Sequence, residues 1–282
     1  VVKPRSAELQ DARATLYREG RAHSTFRAPK IELVYEPQGV MMTLSGGVQV
    51  KTPGTSPSQN IKPSDKKAAK IQKAVAERGV VELRSPLVNV DVKKRELRAS
   101  QGIVMTQGNT KIEAKQLFAD TDLAIARVGG QVKATAPQGT ISAPRATYKW
   151  KAGQMQADGG VTLVHEQTKL TGARLAADTN AQSGVLEGGA RAQSPQGQAT
   201  ASRVLYNWKN NTISARDGVW MQNSEGGTLR AARMDADDKF SRVTASGDVT
   251  LQKDDQTLRA SSVTAYDKFA RAVAQGADIF LL

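Results

Sequence analysis

A unit of 29 or 30 residues recurs along the last two-thirds of this chain, and no other feature of the sequence narrows its possible folds as far. Each copy opens as apolar-x-Ala-x-x-apolar-x-(Ala or Tyr), crosses a polar turn and closes on small-x-Gly-x-Val. The opening half reads Ile112/Ala114/Leu117/Ala119, Ile141/Ala143/Ala146/Tyr148 and Leu170/Gly172/Leu175/Ala177. It continues as Ala199/Ala201/Val204/Tyr206, Leu229/Ala231/Met234/Ala236 and Leu258/Ala260/Val263/Ala265. The closing half places Gly130, Gly159, Gly188, Asp217, Gly247 and Gly276 two residues before Val132, Val161, Ala190, Val219, Val249 and Asp278. Self-similarity at a fixed period signals a stacked array, in which each unit buries its apolar face only against its neighbours.

Within each half the apolar residues alternate, the pattern of a strand with one buried face. The opening half interrupts that alternation with a three-residue step, as from Ala201 to Val204. A step of three within a period of two predicts a bulge or sharp corner, recurring at the same height in every copy. Aligned corners fold a sheet over on itself, so that its apolar faces meet. The expected architecture is therefore all-β: an elongated, folded-over antiparallel sheet of about sixteen strands, a β-jellyroll or β-taco, built from two-strand repeats. The rival geometry is a β-helix solenoid, which needs each copy to be one full coil. Polar turns such as Asp178-Thr179-Asn180 and Asn207-Trp208-Lys209 separate the halves, where Asp and Asn cap nearby backbone amides.

The array has two interruptions. Residues 1–25 are highly charged between Glu8 and Arg21 and are expected to form a lead-in of helical or irregular character. The remainder, 26–282, is expected to be one array, with period-two patterning from Ile31 to Val50. A Lys-rich insertion at about 54–78 breaks it, opening on Gly54, Pro57 and Pro63. There Ser64 is placed to cap a short helix from Asp65 to Glu77.

No run of eighteen or more apolar residues is present, and no cysteine, which excludes disulfides and zinc–thiolate sites. The net charge of +13 points to anionic partners. Five phenylalanines and five tyrosines provide no stacking platform for single strands, so nucleic acid is not expected as a specific partner.

With Gly130-x-Val132 leading to Ile141-x-Ala143 and Tyr148, and Gly247-x-Val249 leading to Leu258-x-Ala260 and Tyr266, the chain resembles the OstA-like, LptA–LptC family of lipopolysaccharide transport proteins. Phe26-Arg27-Ala28-Pro29-Lys30-Ile31 is similar to the opening strand of the LptC-like branch. The resemblance spans roughly residues 26–282 apart from the insertion. It implies a non-enzymatic periplasmic protein whose interior shields lipid acyl chains, with a signal or anchor upstream of this sequence. It also implies stacking edge to edge with other Lpt-type β-jellyroll proteins in a bridge to the outer membrane. A membrane-anchored or transporter partner would supply the driving force. The alternative is a structural β-array that polymerises through its edges without lipid.

The residues expected to line the groove are Val132, Ile141, Val161, Leu163, Leu170, Leu175, Val204, Val219, Met221, Leu229, Met234, Val249 and Leu251. Burial of each methylene contributes roughly 0.8 kcal/mol, so a long acyl chain needs no specific pocket. Arg145, Arg174, Arg203 and Arg233 recur at one position of four successive copies and are expected to form a column that grips an anionic glycolipid headgroup, such as that of lipopolysaccharide. His23 and His165 stand in different repeat contexts, so catalysis, cofactors and metals are not expected. Trp150 and Trp208 occupy equivalent turns and are expected to cap the end of the fold.

Overall fold

The computed structural model describes residues 5–18, 21–52, 80–120, 125–137, 139–149, 152–178, 180–237, 241–266 and 271–281. Alternating apolar and polar residues make almost every described segment a strand. The first nine are β1 (Arg5–Arg18), β2 (Arg21–Glu36), β3 (Gly39–Thr52), β4 (Val81–Asp91), β5 (Glu96–Ser100), β6 (Ile103–Gln107), β7 (Thr110–Ala114), β8 (Gln116–Asp120) and β9 (Ala126–Ala136). They are followed by β10 (Gly139–Lys149), β11 (Gln154–His165), β12 (Thr168–Asp178), β13 (Ser183–Ser194) and β14 (Gly197–Asn207). The last five are β15 (Thr212–Asn223), β16 (Thr228–Asp237), β17 (Arg242–Lys253), β18 (Gln256–Tyr266) and β19 (Arg271–Leu281). All nineteen belong to one antiparallel sheet, and each hairpin joins sequence neighbours.

The corner expected from the three-residue step is present. Register shifts interrupt the pairing at Asp158/Val161, Thr171/Arg174, Glu187/Ala190, Thr200/Arg203, Arg216/Val219, Arg230/Arg233 and Ser246/Val249. On the Gly-x-Val strands the backbone turns through the left-handed region there. Gly188 has φ +79°, and a Cβ built on it would lie 2.6 Å from the Ala173 Cβ. Only glycine fits that position without displacing its neighbour. Asp217 and Asp248 take the same conformation at φ 64° and 50°. The turns also hold as expected: Asp178 Oδ1 accepts the Asn180 and Ala181 amides at 2.8 and 2.9 Å. Asn207 Oδ1 accepts that of Lys209 at 3.0 Å.

The chain divides into two compact units. The first comprises Val1–Pro137 with Arg145–Ala152, the second Gln138–Pro144 with Gly153–Leu282. In the first, one inner row runs Ile31–Leu44–Val88–Ala99–Leu117–Val128 across β2, β3, β4, β5, β8 and β9. Another runs Phe26–Val50–Leu83–Met105–Ile112–Ala134. All twelve are buried. The corner here is a full break: β5 and β6 separate at Gln101–Gly102, and β7 and β8 at Lys115. The Gly102 amide donates to the Lys115 carbonyl at 3.1 Å.

Three strands more than expected are present, for two reasons. Two strands are each broken in two at the corner, and the lead-in is not irregular but forms β1. In β1 the alternation Ala7–Leu9 resumes out of phase at Ala12–Ala14–Leu16, around Asp11 at φ 46°. Glu8 and Arg13 occupy its outer face, where Glu8 pairs with Lys30 at 3.1 Å. The insertion at 54–78 and its expected helix lie outside the described residues.

Candidate binding groove

The inner face of the second unit is apolar from strand to strand. One inner row on the turn side of the corner is Leu175–Leu186–Val204–Ala215–Met234–Ala245–Val263, over β12 to β18. Beyond the corner, Leu163–Leu170–Ala192–Ala199–Met221–Leu229–Leu251–Leu258 forms a second. Ten of the thirteen residues expected to line a groove are buried. Nine of these lie in the second unit: Val161, Leu170, Leu175, Val204, Val219, Met221, Leu229, Met234 and Val249. Val132 is the tenth and belongs to the first unit. Ile141, Leu163 and Leu251 are half-buried. With Leu229 at 0% and Met234 at 1% exposure, the two walls meet and fill the interior with their own side chains.

A contact that the sequence does not reveal shows how these walls close. His165 is the last residue of β11 and Tyr206 lies at the opposite end of β14. On a flat sheet they would stand about 30 Å apart along the strands. Their ring centroids are 6.4 Å apart, and the Trp208 ring lies tilted against Tyr206 at a further 6.4 Å. Only a sheet folded back on itself brings the two strand ends together. His165, Tyr206 and Trp208 therefore bridge the open side of the fold. Trp208, expected to cap the end of the fold, stands instead at this open side, and Trp150 lies outside the described residues.

Three of the four recurring arginines, Arg174, Arg203 and Arg233, stand in one row on β12, β14 and β16, as expected of a column, with Glu187 and Arg216 on the strands between them. Arg145 lies on β10 in the first unit. In the second unit the row beside the corner reads Asp158–Arg174–Glu187–Arg203–Arg216–Arg233–Ser246–Ser262 from β11 to β18. It occupies the outer face, because the adjoining Ala157, Leu175, Leu186, Val204, Ala215 and Met234 point inward and are buried. Arg174 pairs with Asp158 at 2.8 Å and Arg203 with Glu187 at 3.5 Å. Arg216, missed because it stands on a Gly-x-Val strand, sits between Arg203 and Arg233. The register that places it there is visible once Arg216-Asp217-Gly218-Val219 is aligned with Glu187-Gly188-Gly189-Ala190.

Asp235 organises this part of the row. Its Oδ1 accepts from Arg216 Nη1 at 3.2 Å and Nη2 at 3.3 Å, and its Oδ2 from Arg233 Nε at 2.8 Å. Desolvation works to raise its pKa, but the Ser214 hydroxyl and the two guanidinium groups outweigh it and hold the carboxyl below the ordinary aspartate value. It is therefore ionised at neutral pH. In the first unit Glu82 is likewise lowered, first by the Gln49 amide and then by Arg84. That unit also carries two outer clefts. One of about 700 Å³ is lined by Glu36, Asp91, Lys93, Lys94, Glu96 and Arg98 among others, and one of about 970 Å³ lies over Gly46–Gly47, Pro86 and Gly102. Among the described residues no group of three or more His, Cys, Asp or Glu side chains is placed to hold a metal ion. His23 Nδ1 lies 3.0 Å from the Ser24 hydroxyl.

No protein-family model matches this chain, and no curated protein sequence does. Among solved structures the chain is similar to LptH of Pseudomonas aeruginosa, described as the LptA-homologous periplasmic component of the lipopolysaccharide transport device. The match has 18% identity and a TM-score of 0.38, and covers 40% of this chain and 93% of that one.

Proposed function

We propose that this chain is a non-enzymatic carrier that shields the acyl chains of a glycolipid of the lipopolysaccharide type inside the folded sheet of its second unit. The observation that carries this reading is the inner face of that unit, apolar without interruption from β12 to β18 on both sides of the corner. Because its side chains already fill the interior, a lipid enters by parting the two walls, exchanging side-chain contacts for acyl contacts of similar strength. The bridge of His165, Tyr206 and Trp208 is the place where the walls separate. The setting is the periplasm, with edge-to-edge pairing to other β-jellyroll proteins and a transporter upstream. An interior holding acyl chains does not bring a headgroup to Arg174, Arg203 or Arg233, which lie outside beside the corner. Headgroup recognition belongs instead to the open side.

The test is native mass spectrometry after incubation with lipopolysaccharide. Wild-type protein is expected to take up lipid, and Leu251→Glu, at a half-buried inner position, to lose it. Correctly folded protein that takes up none, with Leu251→Glu indistinguishable from it, would favour the structural array instead.

A further inference from the structure

We propose that Arg203, Arg216 and Arg233 form a site for a phosphate-class oxyanion, a phosphomonoester or diphosphate, on the outer face of the second unit. The row in which they stand supplies its own controls. From Asp158 to Arg203 the charges alternate in sign, so each arginine faces a carboxylate on a neighbouring strand. From Ser246 onward the row is neutral. Only in between do three arginines follow one another on adjacent strands, about 4.8 Å apart. Like charges directly opposite in a sheet are destabilising, a penalty that the rest of the row avoids.

Two of the three groups, Arg216 and Arg233, are held by hydrogen bonds. Arg216 is the least exposed, at 32%, and its Nη1 donates to the Ala215 carbonyl at 3.1 Å as well as to Asp235. Asp235 fixes Arg233 through its Nε alone, and Glu187 approaches Arg203 through its Nε at 3.5 Å. The terminal amino groups of Arg203 and Arg233 carry no protein partner among the described residues. Two guanidinium forks with free ends, flanking a third that is anchored, match the bidentate geometry of a tetrahedral oxyanion. Three guanidinium groups against Glu187 and Asp235 leave little net charge, and Asp217 adjoins the site at the crest of the corner. Binding therefore rests on directed N–H donors, not on the field of a protein of net charge +13. This site goes beyond the lipid reading and does not depend on it.

Two arms test it with the full chain. Calorimetry with pyrophosphate is expected to show one saturable site whose affinity changes little between low and moderate salt. The double variant Arg203→Lys/Arg233→Lys keeps both charges but loses both forks, and is expected to bind at least about tenfold more weakly. Arg174→Lys, in the alternating part of the row, is expected to bind as wild type does. Flotation with phosphatidylcholine vesicles, with and without phosphatidic acid, identifies the source. Capture by the anionic vesicles that weakens in the double variant assigns the site to a lipid surface. Pyrophosphate binding without vesicle capture assigns it to a soluble phosphate ester. Absence of saturable binding in both arms, or equal binding by the double variant, overturns the site. Lipopolysaccharide uptake by the double variant is expected to be unchanged, so failure of this site and failure of the carrier reading are separately visible.

Discussion

The two units share one strand chemistry and differ in what fills them. Of the eleven largest side chains buried to under 2% exposure, nine stand in the first unit, among them Phe26, Ile31, Leu44, Leu83 and Leu97. The second contributes only Leu229 and Met234. Its buried apolar set is instead rich in alanine, with Ala190, Ala201, Ala231 and Ala260 aligned along the corner on β13, β14, β16 and β18. The corners differ as well: in the first unit two strands break, whereas in the second each Gly-x-Val strand bends without ending. Large side chains that interlock leave a core little able to rearrange. A wall of methyl groups makes fewer contacts, so parting it forfeits less dispersion energy. The contrast assigns the rigid role to the first unit and the yielding role to the second.

Region-resolved hydrogen exchange can break that contrast, and the largest effect is expected from Phe26→Ala. It should destabilise the first unit by about 3–5 kcal/mol, because a fully enclosed ring leaves a cavity that its neighbours cannot fill. A loss well below that would mean the first unit yields too. Next comes Gly188→Ala, expected to cost about 2 kcal/mol or more, from left-handed strain plus the contact with Ala173. Gly102→Ala, where no atom lies within 4 Å of the new Cβ, isolates the strain alone and should cost about 1–2 kcal/mol. Equal losses at the two sites would remove the packing contribution at the corner of the second unit.

Ala201→Leu sharpens the comparison further. A close-packed wall would be penalised by about 1–3 kcal/mol, whereas a yielding one is expected to absorb the side chain at the lower end of that range. The smallest effect is electrostatic. Asp235 and Glu82 both have folded-state pKa values below the ordinary ones of 3.8 and 4.5. Their contributions are thus complete above those ordinary values and disappear as pH falls through the lowered folded ones. The stability difference between wild type and Asp235→Asn is expected to be constant from neutral pH down to about pH 4 and to vanish below it. A difference that persists in strong acid would show that the carboxylate charge is not what holds Arg216 and Arg233.

Much of this was legible in the sequence because the repeat encodes two local facts at once. The three-residue step from Ala201 to Val204 and the glycines before Val161 and Val249 both mark the corner, and alternation marks the inner face. β1 escaped for the same reason in reverse. Its phase shift at Asp11 falls among charged residues, so each half offers too few alternations to stand out. The approach of His165 to Tyr206 was out of reach, since it depends on how far the sheet closes, which no spacing records. The difference in filling between the units was written in the residues, yet gained meaning only when the chain divided where it does.

The turn between β15 and β16 has a consequence of a different kind. Where β13 and β14 are joined by Pro195 and Gln196 alone, this turn is longer, closed by Asn223 accepting the Glu225 and Gly227 amides at 3.1 and 2.7 Å. Here the 30-residue copy can accommodate its extra residue without disturbing either strand. A residue inserted within a strand would instead throw one half-strand out of frame and turn its apolar residues to water. Deletions and insertions in descendants of this sequence should therefore collect at hairpin turns, or come as whole hairpins, and the corner acts as a punctuation mark that evolution can copy but not move.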